Sequence, residues 1–497
     1  MVWWIIVITL YIIAVLLFHT YVRYISRSEN FGSKALPVIV EPWYCPFLGP
    51  VLSMLNMEAS LAKWRVQYGE NFTVRIFGYY LTLVTEYVDV KKYYHANEEA
   101  LSLTRAAHLI LGSSYPESQY MVEYSSVPFL QMILTPPYLR YMSANMETAL
   151  VDYFNNQNGQ FWAVHGDGAV VNLFDFMYRL VLRMNCANFA SPTIYANHVD
   201  EWIALFSTLD NEKGVTNPFG DGLKKRLGIK SKRDSAWQRW IELLMPDVDR
   251  CLAMIDQKIE PTEVDVSYER VKYAKEQLEK RGEVFSPRLV AFLAYSSFLP
   301  AQLNTYATAA FVVLEWIRHE HDEIGQRMQD DIQRVSSMAD ITLQDLNSME
   351  YIQACIYEVI RFRTDAQLSL RYAGQDILLA DGRRIPAGNL VATCMSGSQK
   401  LYPDPDKFDP ERHLAPREEN KIDPYKIIPF GRGKHACTGE RYVKMQIKLL
   451  LIHLCAMCKM AIMKESINFE TTVNKKQLAG LSRPTKPVHV RISKRDV

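Results

Sequence analysis

The stretch from residue 430 to residue 440, Phe-Gly-Arg-Gly-Lys-His-Ala-Cys-Thr-Gly-Glu, restricts the fold of this chain more than any other segment. Gly431 and Gly433 permit a tight turn that other residues would adopt only with strain. The amphipathic pattern that follows predicts a helix over residues 438–456, so Cys437 stands at a helix N-terminus. Free N–H groups and the positive end of the helix dipole stabilise a thiolate there. The alternative is a glycine-rich turn that ends in a buried structural cysteine.

The same stretch resembles the haem-binding loop of the cytochromes P450, which reads Phe, two residues, Gly, three residues, Cys, one residue, Gly. Glu358 and Arg361 match the Glu-x-x-Arg pair of that family. Arg412 lies in the sequence Asp-Pro-Glu-Arg-His, which resembles the family's Pro-Glu-Arg-Phe segment with His in place of the aromatic residue. In the family these three side chains form a buried triad that supports the haem region. The resemblance covers the whole chain after its apolar N-terminus.

The resemblance implies a haem b cofactor (iron protoporphyrin IX) with Cys437 as the axial thiolate ligand and the metal-binding residue. A thiolate ligand donates electron density to haem iron and favours cleavage of the O–O bond. The other cofactor-binding residues that it implies are Phe430, Gly431 and Gly439 in the loop, and His435, Arg371 and Arg140 as partners of the haem propionates.

The longest apolar helical stretch, residues 286–325, departs from the family pattern. The family places an acidic residue and then Thr over the haem, and both help to deliver protons to oxygen. Here Leu303 stands at the position of the acid and Asn304 at that of the Thr, followed by Thr305. The departure resembles the branch that contains sterol 7-hydroxylases and prostacyclin synthase, and the helix after Cys437 resembles that of sterol 14-demethylases. We expect Asn304 and Thr305 to be catalytic, and Pro300 to open or kink the helix.

Residues 1–18 carry no charged side chain, and this length is at the lower limit for a helix that spans a bilayer. The first positive charges, Arg23 and Arg27, follow this stretch and favour a cytoplasmic body. The sequence predicts a transmembrane anchor over residues 1–22, a polar, proline-rich link over 23–50 and a catalytic domain over 51–497. We expect a single-pass protein of the endoplasmic reticulum. A cleaved secretory peptide is the alternative; the missing basic start and the bulky residues after position 17 argue against it.

Composition adds two limits. The net charge of +1 over 497 residues gives no indication of nucleic-acid binding. The eight cysteines show no regular spacing, which argues against a disulfide framework and favours a reducing compartment.

The hydrophobic periodicity predicts one mainly α domain, a helical body with small β-sheets. It indicates a hairpin over residues 73–85, helices over most of 87–360 with loops at 110–118, 155–168 and 208–236, strands over 366–395, irregular structure over 399–436 and short strands over 467–493. The family topology implies substrate-pocket walls at residues 108–130, 295–305, 366–370 and 478–482.

The resemblance implies a monooxygenase that oxidises a bulky apolar small molecule, such as a sterol, terpenoid or other lipid, with molecular oxygen. The chain carries no flavin or nicotinamide motif, so we expect NADPH-cytochrome P450 reductase as a separate partner. The departure at Leu303 and Asn304 keeps a second class open, a haem-thiolate isomerase or dehydratase that needs no reductase. A haem carrier or sensor without turnover is the third alternative.

Overall fold

The computed structural model describes residues 57–76, 79–111, 117–155, 160–211, 232–338, 340–364, 368–394, 402–425, 428–473 and 481–495, together with residues 11, 13–15, 17, 36, 38 and 39. The helices are α1 Met57–Tyr68, α2 Tyr87–His95, α3 Leu103–Leu111, α4 Tyr120–Glu123, α5 Val127–Ile133, α6 Pro136–Asn155, α7 Gln160–His165, α8 Leu173–Phe189, α9 Pro192–Asn211, α10 Lys232–Asp256, α11 Val266–Glu279, α12 Pro287–Leu303, α13 Thr305–Arg318, α14 Glu323–Ser336, α15 Leu343–Asn347, α16 Glu350–Arg363, α17 Glu419–Ile422 and α18 Glu440–Met457. Short 3-10 turns span Pro410–His413, Gly433–His435, Lys464–Ser466 and Phe469–Thr472.

The strands are β1 Val38–Ile39, β2 Asn71–Ile76, β3 Tyr79–Val84, β4 Leu101–Ser102, β5 Ala169–Asn172, β6 Leu368–Ala373, β7 Ile377–Leu378, β8 Arg384–Ile385, β9 Leu390–Cys394, β10 Cys458–Ile462 and β11 His489–Lys494. The largest sheet has the order β1-β2-β3-β9-β6-β4, and smaller sheets have the orders β10-β11-β5 and β7-β8.

The helical body is built around α12 and α13, whose side chains are buried almost throughout. Helix α8 packs on both of them and on α6, and α18 packs on α6. One continuous apolar cluster fills the space between these helices. A hydrophobic helix of this kind belongs in the centre of a large domain, because no side of it gains from contact with water.

The large sheet lies beside this body and has a core of its own. Strands β2 and β3 pair antiparallel, with Thr73 opposite Thr82. The buried side chains Phe72 and Val74 pack with Trp64 of α1. The hairpin predicted over residues 73–85 is confirmed, and so are strands within residues 366–395.

Three elements differ from the expectations. The segment 155–168 contains α7, because Phe161 turns into the core cluster and supports a helical turn. In the described parts of 467–493, which are 467–473 and 481–493, the structure has a 3-10 turn and strand β11, which pairs with β10 and β5. The long helix is interrupted at Asn304 and ends at Arg318.

In the part of the chain that the structure describes, no helix is both long and apolar enough to cross a membrane. The predicted anchor over 1–22 and link over 23–50 lie almost entirely outside the described residues.

Candidate functional site

The segment 430–440, which we call the cysteine loop, packs on the end of α2. Two of its glycines adopt turn conformations that close contacts with backbone atoms require. Gly431 and Gly433 have φ values of +69° and +64°, in the left-handed region that favours glycine. A Cβ atom at Gly431 would lie 2.9 Å from the carbonyl oxygen of His435, and one at Gly433 would overlap the carbonyl oxygen of Tyr94. The amide of Cys437 closes the loop by donating to the carbonyl of Phe430 at 2.6 Å. Glycine at 433 therefore lets the loop lie this close to α2, and glycine at 431 lets the loop fold back on itself.

Cys437 lies just before a helix, as predicted, although α18 begins at Glu440 and not at residue 438. Its thiol is solvent-accessible even though protein surrounds it closely enough for burial to raise its pKa. Solvent access together with close packing by protein is typical of a side chain that lines a cavity. Hydrogen bonds from the amides of Gly439 and Glu440 act in the opposite direction and lower the pKa of Cys437. The loop therefore presents an accessible sulfur whose anion is stabilised by two amides.

Two basic side chains close to the loop, each largely buried, have a nitrogen without a hydrogen-bond partner. His435 Nε2 and Arg371 Nε make no hydrogen bond among the described residues. Burial, followed by the charge of Arg371, lowers the pKa of His435, so the two side chains act on one another. Arg371 also donates to the carbonyl oxygen of Leu370 at 2.7 Å. Buried donors without partners carry a cost, so their presence fits the carboxylates of haem propionates.

Of the other predicted haem-binding residues, Phe430 and Gly439 lie in the cysteine loop, whereas Arg140 makes no contact with it among the described residues. The ring of Phe430 packs edge-on against Tyr357, with centroids 6.0 Å apart. Gly439 lies beside the thiol, where an added Cβ would be 3.8 Å from the sulfur. Arg140 lies on the exposed side of α6, and no contact among the described residues joins it to the loop. The propionate role of Arg140 stays a prediction without support from a contact.

Glu358, Arg361, Arg412 and His413 form what we call the support cluster. Glu358 Oε1 accepts from Arg361 Nη2 at 2.8 Å and Arg412 Nε at 3.3 Å. Glu358 Oε2 accepts from Arg361 Nε at 2.8 Å and pairs with His413 Nε2 at 3.1 Å. The side chains of Glu358 and Arg412 are completely buried. The structure thus joins the three charged residues that the sequence grouped.

Sequence reasoning missed the part that His413 takes in this cluster. The residue was noted only as a departure from an aromatic position, yet its ring nitrogen contacts the buried carboxylate. Burial acts to raise the pKa of Glu358, but the hydrogen bonds from His413 and Arg361 outweigh it and lower the pKa to about 2. The presence of His413 at an aromatic position of the family could have indicated this contact, since an imidazole can donate a hydrogen bond and a phenyl ring cannot.

Helix α12 ends at Leu303 and α13 begins at Thr305, so Asn304 forms a break between them. Pro300, Leu303 and Asn304 are exposed, whereas Gln302 and Thr305 beside them are buried. Positions i, i+3 and i+4 share one helix face, and an accessible face within a core helix is typical of one that lines a cavity. Within the described residues the Asn304 side chain makes no hydrogen bond; only its carbonyl accepts, from Thr308. We call residues 300–305 the helix break.

A buried amide network lies behind the helix break and was not predicted from the sequence. Gln302 Nε2 donates to the carbonyl of Tyr178 at 2.9 Å, and its Oε1 accepts from Asn185 at 3.2 Å. Asn185 Oδ1 accepts in turn from Tyr442 at 2.9 Å and Gln446 at 3.1 Å. The network joins the helix break to α18, the helix that follows Cys437.

A second buried charge cluster was also missed. Arg363, at the end of α16, donates to Glu315 of α13 at 2.9 Å and to Glu470 at 2.6 Å. His319 pairs with Glu315 at 3.6 Å and with Asp322 at 2.6 Å. Each residue lies in an ordinary helical pattern, so its partner depends on the tertiary packing.

Comparison with known proteins gives a consistent result. A family model described as Cytochrome P450 matches residues 40–492. Cyclooctat-9-en-7-ol 5-monooxygenase of Streptomyces melanosporofaciens is 26% identical over 295 residues, which cover 55% of this chain and 58% of that protein. Cytochrome P450 710A3 of Arabidopsis thaliana is 31% identical over 152 residues, 30% of each chain. The aligned regions thus span less than two thirds of these relatives.

Among solved structures, the retinoic acid bound cyanobacterial CYP120A1 matches with a TM-score of 0.68 and 19% identity, over 93% of this chain and 99% of that one. At this identity the match shows a shared fold.

Proposed function

The chain belongs to the cytochrome P450 family, and from this premise we propose that it is a haem-thiolate monooxygenase acting on a bulky apolar substrate. The observation that supports this most is the cysteine loop. It presents an accessible sulfur with two amide donors, beside two basic side chains that each have a nitrogen without a partner. The support cluster joins α16 to the segment that precedes the loop through charges that have no access to water.

When bound, haem supplies oxygen activation through an iron whose thiolate ligand donates electron density. The protein residues prepare the site for that chemistry. The amides of Gly439 and Glu440 stabilise the sulfur anion of Cys437, and the unpaired nitrogens of His435 and Arg371 would bind the haem propionates. At the helix break, the Asn304 amide can both donate and accept hydrogen bonds, so it can hold the water that supplies protons. Thr305 is buried and lies beside it.

The apolar character of α12 favours a hydrophobic substrate, such as a sterol, terpenoid or other lipid. Cyclooctat-9-en-7-ol 5-monooxygenase, by its name, oxidises cyclooctat-9-en-7-ol, an example of this class. Electrons come from NADPH through a separate reductase, since the chain carries no flavin or nicotinamide motif. We place the protein on the endoplasmic reticulum membrane through residues 1–22, with the catalytic domain in the cytoplasm.

A second function is favoured by Leu303 and Asn304. Without an acid at position 303 the usual proton supply is incomplete, and the amide of Asn304 can instead orient an oxygenated lipid. The protein would then rearrange or dehydrate that lipid and need no reductase.

One reconstitution separates the two functions. Purified full-length protein is incubated with a panel of sterols, terpenoids and lipid peroxides, with and without NADPH and reductase. We expect oxidised product only with both, and no product from Cys437→Ala, which should also lose the carbon-monoxide band of a thiolate-ligated haem. Conversion of a peroxide without reductase would select the second function. A Cys437→Ala protein that kept the band would overturn the ligand assignment.

A further inference from the structure

Three side chains from two helices meet beside the cysteine loop and are not used by the proposed mechanism. The hydroxyl of Tyr357, on α16, donates to Glu440 Oε1 at 2.8 Å. Lys444 Nζ, one turn along α18, donates to the same oxygen at 3.0 Å and to the Tyr357 hydroxyl at 3.2 Å. We call Tyr357, Glu440 and Lys444 the carboxylate clamp. Both donors act on one carboxylate oxygen, so its position is fixed from two helices.

Glu440 influences Cys437 in two opposite ways. Glu440 is the first residue of α18, three positions after Cys437; its amide donates to the sulfur, whereas its carboxylate places a negative charge in the same turn. The side chain of Glu440 is 35% exposed and that of Lys444 18% exposed, so neither charge is fully screened by water. A carboxylate in the first turn after a thiolate is unfavourable unless a cation offsets it. Lys444 is that cation.

Tyr357 connects the clamp to the rest of the site. Its ring lies edge-on to Phe430, at the start of the cysteine loop, and 5.8 Å from the ring of His413 in the support cluster. Burial, together with the negative charge of Glu440, raises the pKa of Tyr357. The hydroxyl therefore stays protonated and acts as a donor at any pH at which the enzyme works.

We propose that the carboxylate clamp sets the reduction potential of the haem, with Glu440 adding negative charge next to the thiolate and Tyr357 and Lys444 limiting it. A negative charge near the iron stabilises the oxidised state, and charges and hydrogen bonds around a ligand are known means of tuning a metal's potential. Tyr357 and Lys444 act through Glu440 and are positioning residues. The inference rests on the proposed function only through haem ligation by Cys437.

The simpler interpretation is an ordinary surface ion pair, since Glu and Lys at i and i+4 often pair on helices without any other role. Two features argue against it. The third member comes from α16, and the pair occupies the first turn after the ligand cysteine. A surface pair would leave the haem potential unchanged when it is broken.

The test is a spectroelectrochemical titration of haem-loaded full-length protein. Glu440→Gln should shift the reduction potential upward, because it removes a negative charge. Lys444→Met and Tyr357→Phe should shift it downward, because they leave Glu440 less compensated. Lys444→Arg should restore the wild-type value, and the double variant Glu440→Gln/Lys444→Met should lie between the two single variants. In the carbon-monoxide complex, the C–O stretching frequency should rise in Glu440→Gln and fall in Lys444→Met.

Glu260→Gln and Lys272→Met serve as controls, since this exposed pair, 3.1 Å apart, joins α11 to the segment before it and should leave the potential unchanged. If Glu440→Gln loses haem, the Lys444 variants still test the inference, because the potential should fall in Lys444→Met and stay at the wild-type value in Lys444→Arg. Unchanged potentials in all clamp variants that keep the thiolate band would overturn the inference alone. Absence of that band from the wild-type protein would overturn haem ligation by Cys437 instead.

Discussion

The support cluster and the helix break are built in opposite ways. In the support cluster both oxygens of Glu358 accept hydrogen bonds, and the partners Arg361 and Arg412 are themselves fully buried. At the helix break the Asn304 side chain is exposed and makes no hydrogen bond among the described residues. The polar groups of the support cluster bond to one another inside the protein, whereas the side chain of Asn304 can still donate and accept hydrogen bonds with another molecule.

This difference separates structural from chemical roles. A side chain whose hydrogen bonds are all satisfied within the protein has a geometry that substrate cannot change, so its loss should affect folding and haem retention. Loss of a side chain with free donor and acceptor positions should affect turnover and leave the fold intact. Substitutions in the two regions should therefore have different effects.

The largest effect is expected at the centre of the support cluster. Glu358→Gln leaves the buried Arg361 without its counter-charge, which costs about 3–5 kcal/mol, whereas Arg412 keeps longer pairs with Asp409 and Glu419. We expect loss of haem and a lower free energy of unfolding in urea. Glu411→Gln, which breaks a half-exposed pair with Arg327, is the matched control and should cost about 1 kcal/mol or less. Equal stabilities of the two variants would contradict the structural role of the cluster.

At the helix break the effect should appear in turnover. Asn304→Leu should keep haem and stability but lose activity, since a polar group at the reacting centre contributes about 2.7–4 kcal/mol to the barrier by analogy with oxyanion donors. Asn304→Thr restores the family hydroxyl and should preserve reductase-coupled turnover in a monooxygenase. If the protein rearranges lipids instead, Thr should impair that reaction. Product analysis and NADPH consumption are the measurements, and unchanged rates in both variants would remove Asn304 from the mechanism.

Some parts of the fold and the site could be predicted from the sequence, and others could not. The motifs around Glu358, Arg412 and Cys437 predicted the fold and the triad through their resemblance to the cytochromes P450, while local helix spacing and turn geometry account for the Glu358–Arg361 pair and the turn before Cys437. The place of His413 in the cluster, the amide network around Gln302 and the charge cluster of Arg363 depend on which helices pack together. Periodicity along one helix carries no information about its neighbour, so these contacts could not be predicted. The anchor over residues 1–22 stays a prediction.

His413 tests whether the departure within the support cluster matters. His413→Phe restores the aromatic residue of the family but removes one hydrogen bond to the buried carboxylate of Glu358. A hydrogen bond to a charged group is worth about 1.5–3 kcal/mol, so we expect a smaller loss of unfolding free energy than in Glu358→Gln. Thermal and urea unfolding of haem-loaded protein measure it. His413→Gln, which keeps a donor, should recover part of the loss; equal values for the two substitutions would assign the effect to packing.

The smallest effect is expected at His319, in the charge cluster at the far end of α13. Its hydrogen bond with Glu315, followed by that with Asp322, raises the pKa of His319 above its ordinary value. A raised pKa in the folded state means that His319 contributes stability below about pH 6.5 and loses that contribution as the pH rises through the folded pKa. The side chain is partly exposed, so the contribution should be about 1 kcal/mol or less.

The measurement is the difference in unfolding free energy between wild type and His319→Gln at pH 5.5 and pH 9. It should be largest at the lower pH and vanish at the higher one. Asp322→Asn should reduce the same difference, because it removes one of the two charges that favour the imidazolium, while Arg363 and Arg318 still neutralise Glu315. A difference that is constant with pH would show that His319 acts through packing on Phe408, whose ring lies 6.0 Å away, and not through its charge.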